Sequence, residues 1–97
     1  MAGMGGIYSE VLKDVSFRLA PVDTTQAMQM LQDLRCAPVL NGFRAQALDS
    51  YSAARMIALL SELLAQFPRI RELDLNPCRV YGNGTAVLDA RAVLKTL

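Results

Sequence analysis

Hydrophobic positions repeat in two different ways along this chain, and each change of period marks a new element. Near the start, Ile7 to Leu12 and Val15 to Leu19 are short β-rich runs joined at Lys13-Asp14, and Pro21 ends the second. Asp23 with Gln26 three residues later forms a capping-box pattern, which predicts a helix whose apolar stripe is Ala27, Met28, Leu31 and Leu34. That helix ends before Pro38, and Pro38 to Leu48, which holds Asn41-Gly42 and Arg44, reads as irregular. A second helix, capped by Asp49 or Ser50, carries Ala53, Met56, Ile57, Leu60, Leu63, Leu64 and Phe67 at spacings of three and four, and Pro68 closes it. Beyond Pro68 the period falls to two. The predicted order is strand, strand, helix, helix, strand, strand.

The last two strands form a hairpin. Asn83-Gly84 is the strongest turn signal in the chain, because a type I′ loop needs positive φ at both central residues and Asn and Gly tolerate it. With those two residues as the loop, Cys78 faces Asp89 and Asn76 faces Arg91. Opposed residues share a sheet face, so Asp74, Asn76, Asp89 and Arg91 project to one side while Leu73, Leu75, Leu88 and Ala90 project to the other. A one-residue slip would send Asp89 to the apolar face. The apolar face needs a cover, and the two helices supply it. The expected fold is α+β: a two-layer sandwich with a mainly antiparallel sheet of about four strands, covered on one face by two helices. Met28, Met30 and Met56 belong to the packing of that sandwich.

The polar face brings together an amide oxygen and two carboxylates, the hard donors that suit a magnesium–nucleotide complex. Its plainer alternative is a solvated surface, since charged residues are mostly exposed anyway. Arg18 and Arg91 could each neutralise phosphate charge with a planar guanidinium fork, or serve in surface salt bridges. If Lys13-Asp14 is a two-residue turn, Glu10 faces Phe17 and Arg18 faces Ser9, so Glu10 and Arg18 point apart; a bulge would bring them together.

Composition narrows the chemistry. The chain has 97 residues, of which 53% are apolar, with a formal net charge of +1, which describes one small globular domain. No basic stripe with interleaved aromatics points to nucleic acid. No apolar run approaches the roughly 18 to 20 residues of a membrane span, and Met1 to Gly6 lacks the features of a secretory signal, so the expected compartment is the cytoplasm. Histidine is absent, which excludes Ser-His-Asp and Cys-His mechanisms, imidazole metal ligands and a phosphohistidine within this segment. Cys36 and Cys78 are isolated and read as small hydrophobes, although Cys78 on the polar face keeps a nucleophilic alternative open.

Two runs carry a resemblance. Glu72-Leu73-Asp74-Leu75-Asn76-Pro77, followed by Val87-Leu88-Asp89-Ala90-Arg91, resembles the end of the ATP-grasp domain in the ADP-forming acyl-CoA synthetases, relatives of the succinyl-CoA synthetase β subunit. Gly3-Met4-Gly5-Gly6-Ile7-Tyr8, with Glu10 through Pro21, is similar to a segment of the same family, so the likeness runs from Gly3 to Arg91. The resemblance implies that Asn76 and Asp89 bind the Mg2+ that bridges the nucleotide phosphates, with Asp74 as a further ligand. Arg91, Arg18 and Glu10 are the corresponding candidates for contacts to bound ATP or ADP. Arg44, after Asn41-Gly42-Phe43, resembles the family's Gly-x-Arg-Gly stretch, with Ala45 where the second glycine would stand.

In such enzymes nucleotide lies between two α+β halves, and phosphate passes through a histidine that must here lie on another segment or subunit. Residues 1–97 accordingly read as one domain, the C-terminal half of an ATP-grasp domain and a fragment of a longer protein. Its expected partners are the N-terminal ATP-grasp half and a CoA-binding segment or subunit. The whole would be an acid–thiol ligase interconverting acid, CoA and ATP with acyl-CoA, ADP and phosphate, and the isolated chain is expected to be inactive. Two alternatives come from other classes: a non-catalytic ATP-grasp-like interaction module, and part of an acyl-CoA-dependent acetyltransferase fusion. The acyl pocket and the contacts that separate ATP from GTP lie outside the segment.

Overall fold

The computed structural model describes residues 1–6 and 9–96, with the backbone alone at Ser9 and Glu10. In chain order the elements are β1 (Ala2–Gly3), α1 (Ser9–Leu12), β2 (Val15–Ser16), α2 (Thr24–Gln32), α3 (Ala37–Leu40), α4 (Ser50–Gln66), β3 (Ile70–Leu75), β4 (Cys78–Val80), β5 (Thr85–Val87) and β6 (Ala90–Leu94). The class is α+β with antiparallel pairing, as the pattern implies. Among the described residues the strands form three two-stranded ladders: β1 with β2, β3 with β6, and β4 with β5.

The helices begin where local chemistry dictates. The Asp23 carboxylate accepts from Gln26 N at 2.7 Å, and Gln26 Oε1 accepts from Asp23 N at 2.9 Å, so the capping box satisfies two donors that the first turn of α2 would otherwise leave open. Asp49 caps α4 through Ser52 N at 3.0 Å. The stretch from Pro38, expected to be irregular, instead opens with α3. This short helix closes with Gly42 N donating to Val39 O and Phe43 N to Pro38 O. That pair of bonds is a Schellman closure, and it needs Gly42 at its φ of +101°.

α2 and α4 pack against each other, and between them lie Ala27, Leu31, Leu34, Ala53 and Ala54, with Ala27 and Ala54 wholly buried. Small residues at the crossing let the two backbones approach closely. Ser61 ties α4 to the segment ahead of α2: its hydroxyl accepts from Val22 N at 2.9 Å, and its one proton has Ala58 O at 3.1 Å and Val22 O at 3.2 Å as acceptors. The cover expected from two helices therefore comes to the C-terminal strands from α4. α4 lies on β3, whereas α2 packs on α4 and β1.

The N-terminal segment departs from the expected hairpin. Ser9–Leu12 is helical, and β2 pairs with β1 in the register Ala2↔Ser16 and Gly3↔Val15. Ile7 and Tyr8 of the expected first strand lie outside the described residues. The reason is a long-range tether at Asp14. Its buried carboxylate accepts from Arg35 N at 2.6 Å and Cys36 N at 2.8 Å, which holds Lys13-Asp14 against the chain following α2 instead of leaving it free to turn. Burial works to raise the pKa of this carboxyl, but the two backbone N–H groups, the Cys36 thiol and the charge of Arg35 together hold it below its ordinary value.

Candidate functional site

The C-terminal hairpin is one ribbon interrupted in the middle. β3 and β6 pair as Leu73↔Ala92, Asp74↔Arg91 and Leu75↔Ala90, and β4 and β5 pair as Cys78↔Val87 and Val80↔Thr85. Between these ladders, Asn76 N donates to Asp89 O at 3.0 Å and Leu88 N to Pro77 O at 2.9 Å. Pro77 has no N–H to contribute, so regular pairing lapses at this point. Asn76 and Asp89 stand opposite each other at the junction.

This register differs by two residues from the one that the Asn83-Gly84 signal predicts. Tyr81 N donates to Gly84 O at 2.8 Å, so Gly82-Asn83 lie at the tip; of residues 82–84 only Gly84 has positive φ, at +105°, and no type I′ turn forms. Asn76 therefore opposes Asp89 rather than Arg91, and Asp74 takes Arg91 as its partner. Because the shift is even, Leu73 and Leu75 of β3 keep the face assigned to them, whereas in β4 Cys78 and Val80, expected on the polar side, turn toward α4 and the core. Leu73 and Leu75 are half-buried against α4, where they line an apolar groove with Met56, Leu59, Leu60 and Leu63. Leu88 shares their face by register but is 59% exposed.

The cause of the shift lies in α4. Asp49 N donates to Tyr81 O at 2.6 Å, and Gly84 N donates to Asp49 Oδ2 at 2.9 Å, so the hairpin tip is bonded to the N-terminal cap of the helix. The Ser52 and Thr85 hydroxyls add a contact of 2.7 Å. Asp49 is legible in the sequence as a cap, through its place ahead of an apolar stripe. Its second oxygen is committed to a residue far along the chain, and no local pattern announces that.

The site residues read from the sequence fall into two groups. Asp74, Asn76, Asp89 and Arg91 come together on the exposed side of the ribbon. One oxygen of Asp89 accepts from Ala90 N at 2.9 Å, and the other has no hydrogen bond among the described residues. Arg91 has no carboxylate within 4.0 Å among the described residues. Arg18 is engaged elsewhere: its guanidinium pairs with Asp33 and donates to Phe17 O at 2.7 Å. This is the surface salt bridge of the plainer reading, and exposed pairs of that kind contribute about 0–1 kcal/mol. The side chain of Glu10 lies outside the described residues. Arg44, with φ of +54°, stacks its guanidinium over Phe43 at 5.4 Å.

Cys78 turns its sulfur to Leu75 O at 3.4 Å and to Met56 Sδ at 4.0 Å, so it leans on α4 rather than standing free on the polar face. Burial, and after it the charge of Asp74, raises its pKa, which suppresses the thiolate a nucleophile would need. Among the described residues, no three His, Cys, Asp or Glu side chains are grouped to hold a metal. The described residues therefore build no closed protein cage. The amide oxygen of Asn76 and the free oxygen of Asp89 are hard donors open to solvent, and they fit a cation that takes the rest of its shell from water and phosphate.

With the geometry in place, comparison with known proteins identifies the class. A family profile of the ATP-grasp domain matches residues 1–94, and the chain belongs to that family. It is 42% identical over 95 residues to an ADP-forming acetate–CoA ligase of Archaeoglobus fulgidus, covering 97% of this chain and 14% of that protein. It is 39% identical over 95 residues to the β subunit of the ADP-forming acetate–CoA ligase I of Pyrococcus furiosus, covering 97% of this chain and 41% of the subunit.

The crystal structure of PH1788 from Pyrococcus horikoshii Ot3 superposes with a TM-score of 0.90 at 38% identity, over 96% of this chain and 40% of that one. An acetyl-coenzyme A synthetase of Ca. Korarchaeum cryptofilum, solved with coenzyme A and Mg-AMPPCP, gives a TM-score of 0.89 at 33% identity over 96% of this chain and 44% of its own. The chain thus spans less than half the length of each of these relatives. Among the described residues, no helix is long and apolar enough to cross a membrane.

Proposed function

We propose that this chain is the magnesium- and nucleotide-binding portion of an ADP-forming acyl-CoA synthetase, working with an N-terminal ATP-grasp half and a CoA-binding segment or subunit in a cytoplasmic setting. The observation that carries the reading is the placement of Asn76 opposite Asp89 at an exposed junction, with Arg91 two residues further along the ribbon. Asn76 and Asp89 would hold Mg2+, and Asp74 is the neighbouring carboxylate. Magnesium held by these residues would supply charge to offset that of the nucleotide phosphates. The residues of this chain supply position and electrostatics only: the two oxygens fix where the phosphates lie, and the Arg91 fork is free to pair with them. The likeness to the Korarchaeum enzyme, which was solved with Mg-AMPPCP, supports a nucleotide as the ligand of the whole protein.

The test is Asn76→Ala and Asp89→Ala in a protein containing both halves of the ATP-grasp domain. Each is expected to lower turnover on the order of a hundredfold while circular dichroism stays unchanged, as for loss of one electrostatic contact at a reacting centre. Retained turnover in both would remove magnesium binding from these positions and favour the interaction-module reading. The isolated chain is expected to form no acyl-CoA from acid, CoA and ATP.

A further inference from the structure

The two ladders of the ribbon part where Asn76 and Asp89 stand. Each ladder is attached to α4 at a different level. β3 lies against the body of the helix, through the contacts of Leu73 and Leu75 around Met56, Leu59, Leu60 and Leu63. The β4–β5 ladder is attached at the N-terminus of the helix by three polar ties: Asp49 N to Tyr81 O, Gly84 N to Asp49 Oδ2, and the Ser52–Thr85 hydroxyl pair. Both ladders are thus held by one helix, and the tilt of the outer ladder about the bonded Asn76–Asp89 junction is set at its N-terminal cap.

Asp49 does two jobs at once. One oxygen caps α4 at Ser52 N, a role that serine fills about as well. The other reaches across to Gly84 N, which a serine hydroxyl already engaged in capping does not supply. Helix stability and hairpin placement are thus separable by substitution. We propose that Asp49 is a positioning residue for the magnesium–nucleotide site: it holds the outer ladder in the register and tilt that bring Asn76 opposite Asp89. This rests on the proposed magnesium role of those two residues.

The experiment uses a protein containing both halves of the ATP-grasp domain, in wild-type form and as Asp49→Ser, Ser52→Ala/Thr85→Val and Asp89→Ala. The reading is the Mg2+ concentration that gives half-maximal turnover at saturating ATP, taken beside thermal unfolding and hydrogen exchange at the Gly84 amide. Asp49→Ser is expected to raise the half-saturating Mg2+ about tenfold, in the range seen when the outer support of a metal ligand is lost. Its Gly84 amide should exchange faster while its helical signal stays at the wild-type level. Ser52→Ala/Thr85→Val should move the Mg2+ requirement in the same direction by a smaller factor. An unchanged requirement in Asp49→Ser, with Asp89→Ala strongly impaired, overturns the positioning role and leaves the magnesium reading standing. Wild-type behaviour in Asp89→Ala removes the magnesium reading itself, and the inference falls with it.

Discussion

The α2–α4 pair and the β3–β6 ribbon are built on opposite principles. The helices hide Ala27 and Ala54 completely and enclose most of the core, whereas the ribbon leaves Asp74, Asn76, Asp89 and Arg91 open to solvent. Helices of this kind close their own hydrogen bonds and need only a packed stripe. The ribbon takes its register from outside, at Asp49, and its open face is free for chemistry. Stability should therefore concentrate in the helical pair and function in the ribbon, so that damage to one leaves the other's signature intact.

The largest effect on stability is expected from the helices. Met30 is only 2% exposed, and Met30→Ala should cost about 2–5 kcal/mol in urea unfolding, the usual range for a large-to-small change in a core. Asp14→Ala removes a carboxylate that satisfies two backbone N–H groups and should cost about 2–3 kcal/mol. The same carboxyl predicts a pH dependence. Its pKa is lowered in the folded chain, so its contribution is fully present above the unfolded carboxyl value of about 4. It is lost as pH falls below that value and through the folded one. Unfolding midpoints from pH 6 to pH 2 should fall less steeply in Asp14→Asn than in the wild type; an equal slope would sink the assignment.

Asp23→Ala should cost about 1 kcal/mol, the ordinary value of a lost cap, and shorten α2 by circular dichroism. On the exposed ribbon, Leu88→Ser should change stability by no more than about 0.5 kcal/mol. A large loss there would erase the distinction between the two regions.

The same contrast explains what can be read from the sequence. The capping box at Asp23, the cap at Asp49 and the stripes of both helices are local signals, and the structure follows them except at the end of α4, where Leu63 and Phe67 of the expected stripe are exposed. The alternation that separates Asp74 and Arg91 from Leu73 and Leu75 is local too, and it survives because an even shift in register keeps the faces of β3 and β6. The strand partners are not local. Asn83-Gly84 signals a turn, but the bonds from Asp49 to Tyr81 and Gly84 place the tip one residue earlier. Lys13-Asp14 likewise sits between β-rich runs, but the Asp14 carboxylate is claimed by Arg35 N and Cys36 N. In both places a tertiary hydrogen bond to a single carboxylate outweighs a turn preference, and such a bond has no fixed spacing in sequence. Arg18 follows the same logic, since Asp33 lies beyond the reach of any strand pattern.

The most direct measurement of the central claim is calorimetric titration of Mg-ADP into a protein containing both halves of the ATP-grasp domain, compared with its Asn76→Ala/Asp89→Ala double variant. The account predicts that affinity for Mg-ADP falls at least about tenfold in the variant, while binding of ADP in the presence of a chelator is unchanged. Equal Mg-ADP affinity in the two proteins would contradict it.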